Sequence, residues 1–114
     1  MNRKWITRRA CIGYSCLAFL LNCCTSAPQK TVPKVYTVTI KQMQFQPAEL
    51  TVQRGDTVIF VNRDLVTHNV TEESSKAWAS APLPDGASWK LAVTQSADYY
   101  CSIHPVMKGK LLVQ

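Results

Sequence analysis

Three side chains that can bind a soft metal ion lie within seven residues near the end of the chain. Cys101 offers a thiolate, His104 an imidazole and Met107 a thioether. The sequence contains two histidines, so a second imidazole can come only from His68. Two histidines and a cysteine in one plane, with a weakly bound methionine on the axis, are the ligands of blue (type 1) copper sites. We therefore predict that these four residues bind one copper ion that alternates between Cu(I) and Cu(II).

Each of these residues taken alone has an ordinary structural interpretation. A single histidine is usually a surface or core residue, a methionine after a loop usually packs, and a lone buried cysteine is often inert. Cys101, His104 and Met107 lie close together between two predicted strands, and this spacing favours a metal site for the four residues together. Structural zinc is less suitable because it takes four cysteine or histidine ligands. A binuclear copper centre would need a second cysteine in the loop, and residues 102–107 contain none.

The first 23 residues have the pattern of an export signal. Four basic residues precede position 10, and residues 10–21 are almost wholly apolar and too few for an ordinary membrane-spanning helix. A short buried helix is the alternative interpretation. We predict an export signal over 1–23, a linker over 24–34 with two prolines, and one folded domain over 35–114. This organisation predicts a periplasmic protein.

The end of the signal has two interpretations. Residues 20–23 resemble a lipoprotein signal in which Cys23 is acylated and anchors the protein to the membrane, although Asn22 fits that pattern poorly. Cleavage after the small residues 25–27 is the alternative. Arg8 and Arg9 resemble a weak twin-arginine export motif, or they belong simply to the basic start of the signal.

Charge and cysteine content exclude several other functions. The chain has 13 basic and 7 acidic residues, but four of the basic ones lie in the predicted signal, which leaves a net charge of +2. No basic stripe with interleaved aromatic residues remains, so nucleic-acid binding has no support.

Four of the five cysteines also lie in or beside the signal. Cys101 is then a single thiol in an oxidising compartment, which favours a metal partner over a disulfide. We expect a monomer.

Short apolar alternations with turn residues between them predict an all-β sandwich of about eight strands. The segment 57–61 is apolar on both faces, so we expect it to be central and covered on both sides. Residues 72–86 are polar and rich in proline and glycine, which predicts a loop. The predicted strands are 35–40, 50–53, 57–61, 68–71, 87–93, 99–101 and 111–113.

The same regions resemble the cupredoxin family, with amicyanin and plastocyanin as similar members. The resemblance rests on ordered motifs at residues 45–50, 55–58, 62–64, 68–70 and 98–110. It implies an eight-stranded Greek-key β-sandwich and outer-sphere electron transfer. It also implies that the Asn69 amide donates to the Cys101 sulfur, while the Asn69 side chain ties the two ligand loops together. Thr67, Val106 and the turn at residues 95–97 depart from the family pattern, which bears on the reduction potential and the choice of partner.

These observations favour a copper electron carrier that is not an enzyme. Both histidines are used in one site, so none remains for the second copper centre of a reductase or oxidase. Transient redox partners are expected to dock near His104, Pro105 and Val106, where an apolar rim surrounds the imidazole. A periplasmic copper chaperone or buffer protein is the alternative, although such proteins are often rich in methionine.

Overall fold

The computed structural model describes residues 32–114 and the single residue Gly13. The predicted export signal and most of the predicted linker therefore lie outside the described residues. The part described contains no helix long and apolar enough to cross a membrane. Its strands are β1 (Val35–Lys41), β2 (Gln44–Gln46), β3 (Glu49–Val52), β4 (Thr57–Asn62), β5 (Thr71–Glu72), β6 (Ser88–Ala92), β7 (Ala97–Tyr100) and β8 (Lys108–Val113).

The strands form two four-stranded sheets, in the orders β2-β1-β4-β6 and β3-β8-β7-β5. Strand β1 runs parallel to β4 and β3 runs parallel to β8, whereas the remaining neighbours are antiparallel. Alternate residues of the strands point into a shared core, as the period of two along a strand requires. The predicted all-β sandwich of about eight strands is confirmed.

The core between the sheets is built around a cluster of aromatic rings. Tyr99 is fully buried and meets Phe45 and Phe60 edge to face, with ring centroids 4.8 and 5.3 Å apart. Edge-to-face pairs of this kind place the positive rim of one ring against the negative face of another. Phe60 comes from one sheet and Tyr99 from the other, so the cluster joins the two sheets directly beneath the end at which Cys101 follows β7.

Three details differ from the sequence predictions. Strand β4 is central, but only one of its faces is fully buried, and the other is half-buried. The predicted strand at 68–71 is wrong: His68 makes an isolated bridge with Leu83, and the paired strand is only β5. The sequence does not predict strand β2, because three residues with one buried side chain are too few for a period to show.

The long loop after β5 is fixed at its start by one carboxylate. Glu72 is buried and accepts hydrogen bonds from the backbone N–H groups of Ser74, Ser75 and Ala77. The hydroxyls of both serines donate to the same carboxylate. The donors, with the Ser74 hydroxyl foremost, hold the pKa of Glu72 far below its usual range. The charged form of Glu72 therefore stabilises this loop.

Replacing Glu72 by glutamine should destabilise the protein at neutral pH, because glutamine cannot accept all of these bonds. A carboxyl whose pKa is lowered by folding contributes stability above its unfolded pKa of about 4.3 and loses it as the pH falls further. The gap in unfolding free energy between wild type and Glu72→Gln should therefore narrow below about pH 4. Denaturant titrations across pH measure it. Glu73→Gln, which removes an exposed partner of Lys108, is the control and should change little.

Gly109 is required by the ring that lies over it. It pairs with Tyr99 between β7 and β8, and a Cβ at this position would overlap the Tyr99 ring. Gly109→Ala should therefore cost about 1–3 kcal/mol, as overpacking usually does. A thermal melt of Gly109→Ala that matched wild type would contradict this account.

Candidate metal centre

The predicted ligands converge at one end of the sandwich. Cys101 directly follows β7, and Met107 directly precedes β8, so both ends of the intervening loop are fixed by paired strands. The loop also closes on itself, because the Cys101 N–H donates to the Met107 carbonyl at 3.1 Å and the Met107 N–H donates to the His104 carbonyl at 3.0 Å. These bonds fold seven residues into a compact turn that holds three of the four predicted ligands.

His68 reaches the same place from the other side of the fold. Its backbone exchanges two hydrogen bonds with Leu83, at 3.1 and 2.7 Å, which attaches it to the long loop. The buried side chain of Asn62, at the end of β4, donates to the carbonyls of Leu83 and Val66. His68 is completely buried as a result. The bridge replaces the predicted strand as the element that positions this ligand.

Three ligand atoms form a triangle of the size that a single metal ion requires. The Cys101 sulfur lies 3.9 Å from Nδ1 of His68 and 3.9 Å from Nδ1 of His104, and the two nitrogens are 3.2 Å apart. A point in their plane lies about 2.1 Å from all three atoms. Bonds from imidazole nitrogen and thiolate sulfur to a first-row metal ion such as Zn²⁺ are about 2.0–2.3 Å long. The three side chains therefore fit one ion without rearrangement.

The fourth predicted ligand and the nature of the donors favour copper over other metals. Met107 is buried, with 2 % of its surface exposed, and its backbone bonds to both Cys101 and His104. A thiolate and a thioether are soft donors, and imidazole suits both oxidation states of copper. Exposure is unequal, since His68 and Cys101 are fully buried and His104 is only half-buried. His104 is thus the ligand closest to solvent.

The hydrogen bonds expected of Asn69 are present. Its N–H donates to the Cys101 sulfur at 3.4 Å, its side-chain amide donates to the Ser102 hydroxyl at 2.6 Å, and its side-chain oxygen accepts from the Ser102 N–H at 2.7 Å. The residue after His68 is thereby bonded to the residue after Cys101. This cross-link sets the separation of the two ligand segments before any metal binds.

Sequence reasoning missed the carboxylate beside His68. Oδ2 of Asp64 lies 2.9 Å from Nε2 of His68, on the opposite side of the ring from the cysteine sulfur. Hydrogen bonds hold the pKa of Asp64 below its usual range, the strongest coming from the Met43 N–H and weaker ones from His68 and the Gln42 N–H. Partial burial acts in the opposite direction and raises the pKa. The carboxylate four residues before a predicted ligand was the available signal. Because residues 64–68 form a loop with no helical period, the spacing alone did not predict this contact.

The chain matches the family model of the cupredoxin-like domain over residues 13–113. It belongs to the cupredoxin-like family. The match begins inside the predicted export signal, whereas the first strand of this cupredoxin-like protein begins at Val35.

Amicyanins are among its curated relatives. Amicyanin of Paracoccus denitrificans is 34% identical over 83 residues, which are 68% of this chain and 63% of that protein. Amicyanin-alpha of Methylorubrum extorquens is 29% identical over 111 residues, 92% of this chain and 93% of that protein. The chain thus spans a little less than two thirds of the first relative and nearly all of the second.

Solved amicyanin structures share the fold. The Cu(I) form of one amicyanin mutant superimposes with a TM-score of 0.66 at 30% identity. The superposition covers 75% of this chain and 87% of the amicyanin chain. An oxidised form of another mutant gives the same TM-score at 28% identity. The likeness covers three quarters of this cupredoxin-like protein.

Replacing Cys101 by serine should abolish the intense blue colour of the copper-loaded protein, since that colour arises from the bond between thiolate and Cu(II). The control is Met107→Leu, which should keep copper and colour but raise the reduction potential, because it would remove a weak thioether donor that favours Cu(II). Visible spectra and redox titrations measure both. A colourless Cu(II) adduct of the wild type, or loss of the metal from Met107→Leu, would contradict the assignment.

Proposed function

We propose that this protein is a blue copper electron carrier that binds one copper ion at His68, Cys101, His104 and Met107. The observation that carries the proposal is the triangle of Cys101 Sγ and the two histidine Nδ1 atoms, which already has the dimensions of a mononuclear site. When bound, copper supplies a one-electron couple between Cu(I) and Cu(II). The protein contributes a fixed set of donors and a ligand near the surface through which the electron can be exchanged.

The donors are held by bonds that do not depend on the metal. The loop closes through the backbone of Cys101 and Met107, and His68 is bonded to Leu83 through its backbone. Cys101 must lose its proton when the metal binds, and the N–H of Asn69 points at the resulting thiolate. A preorganised site changes shape little when its charge changes, which keeps the reorganisation energy for electron transfer small.

His104 is the proposed point of electron exchange. It is half-buried in a loop whose neighbours are apolar and exposed: Val106 has 86 % of its surface exposed and Ile103 has 46 %. Leu65, from the loop that leads to His68, is 93 % exposed. We propose that transient redox partners dock on this apolar surface near His104, Pro105 and Val106. A small apolar patch without a dense set of charges suits a short-lived complex.

A copper chaperone or buffer is the alternative, and burial argues against it. Direct transfer of copper needs ligands that an acceptor can reach, but His68, Cys101 and Met107 are each at most 2 % exposed. The sequence also has only Met43 and Met107 beyond the predicted signal. An enzymatic role is not proposed, since both histidines of the chain are assigned to this one site.

We propose a periplasmic location on the basis of the basic and apolar pattern of residues 1–21. Anchoring through a lipid on Cys23 stays a prediction, because Cys23 lies outside the described residues. A monomer likewise stays the expectation.

Val106→Glu should slow electron self-exchange by about tenfold or more, because two copies would bring like charges together at the docking surface. The visible spectrum should stay nearly unchanged. Val32→Glu is a matched control, because Val32 is 84 % exposed and far from the site. Val32 lies before the start of β1, and β1 runs parallel to β4, whose last residue leads towards His68. Val32 is therefore at the opposite end of the sheet. NMR line broadening of mixed Cu(I) and Cu(II) samples measures the rate.

The same preparation tests the alternative. Incubation with a copper-free acceptor protein should leave the copper in place for an electron carrier. Slow self-exchange in the wild type together with rapid copper transfer would overturn the carrier and support the chaperone.

A further inference from the structure

We propose that Asp64 is a positioning residue for the copper site: its carboxylate fixes the ring of His68 so that Nδ1 faces the metal, and its charge favours Cu(II) over Cu(I). The inference rests on the proposed function for its copper-dependent part. Its other part, the state of the His68 ring, concerns the protein without metal.

The geometry assigns the two ring nitrogens of His68 to different tasks. Nε2 lies 2.9 Å from Oδ2 of Asp64, and Nδ1 lies 3.9 Å from the Cys101 sulfur. A neutral imidazole carries one proton, and an ionised carboxylate can only accept a hydrogen bond. When the ring is neutral, as a metal ligand must be, this contact places the proton on Nε2 and leaves the lone pair of Nδ1 free for a metal. The ring is fully buried, so water does not compete for either nitrogen.

Asp64 is itself held from two directions. The N–H groups of Gln42 and Met43 donate to its two oxygens, each at 2.9 Å. Both residues have positive φ, 54° and 58°, in the tight turn between β1 and β2. Successive N–H groups in such a turn form a concave site for an anion. The Asp64 N–H in turn donates to the buried side chain of Asn62 at 2.8 Å.

The turn between β1 and β2 therefore belongs to the metal centre, although it offers no ligand. It binds the carboxylate, and the carboxylate binds the ring. Within residues 32–114 the only histidine in hydrogen-bonding contact with a carboxylate is His68. The negative charge of Asp64, beside the ligand His68, favours the more positive oxidation state of the metal. The two histidines are thus unequal in two respects: one is buried and held by a carboxylate, and the other is half-exposed.

The first measurement uses the protein without metal. Long-range ¹H–¹⁵N NMR spectra of the wild type should show His68 with its proton on Nε2 only. Asp64→Ala should give a mixture of both tautomers. Asp98→Ala is the control, because it removes the same charge from an exposed ion pair with Lys110 and does not contact His68. A single, unchanged tautomer in folded Asp64→Ala would overturn the positioning role.

The second measurement uses the copper-loaded protein. Asp64→Ala should lower the affinity for Cu(II) by about 10- to 100-fold, as the loss of a partner behind a metal-binding histidine usually does. The affinity for Cu(I) should fall less, so the potential should rise, and a tenfold difference between the two corresponds to about 59 mV. Asp64→Asn keeps an acceptor without the charge, so it should raise the potential too.

The outcomes separate the parts of the proposal. Equal losses for Cu(I) and Cu(II) would show a merely structural role and overturn the charge effect. If the wild type formed no blue site, the proposed function would fail, but the tautomer measurement would still decide whether Asp64 positions His68.

Discussion

The hydrogen bonds between Asn69 and the segment Cys101–Ser102 are the interaction on which the candidate centre depends. His68 and Cys101 are separated by 32 other positions in sequence, and neither lies within a strand. Asn69 joins them through three bonds, one to the sulfur and two to Ser102. A thiolate in a buried site needs a donor, because an unpaired charge in the interior is costly. The same cross-link therefore fixes distance and satisfies the charge that metal binding creates.

The sandwich supplies the rigidity that this cross-link needs. The edge-to-face contacts of Tyr99 with Phe45 and Phe60 connect the sheets below the site, and Gly109 leaves room for the Tyr99 ring. Because Cys101 and Met107 adjoin β7 and β8, movement of the loop would require movement of paired strands. Such a frame lets the donors keep one geometry in both oxidation states of a bound metal, which is the property that an electron carrier requires and a copper donor does not.

Burial divides the centre into a fixed side and an open side. On the fixed side, His68 is enclosed by the loop that contains Leu83 and by Asp64, which is itself bound by the turn between β1 and β2. On the open side, His104 lies among exposed apolar side chains. If our two proposals hold, the fixed side governs the affinity and potential of the metal and the open side governs the contact with partners, so substitutions on the two sides should change different properties.

The sequence by itself determined the ligand types and the fold class. A chain with two histidines leaves no choice of imidazoles, and the alternating apolar residues in 35–40 can bury one face only as a strand. Residue types and local periods carry that information. The tertiary structure decided what depends on residues distant in sequence: the parallel pairing of β1 with β4, the short β2, and the bridge between His68 and Leu83 in place of a strand. It also decided the contact of Asp64 with His68, because the direction of a side chain in an irregular loop is set by what the rest of the fold places around it.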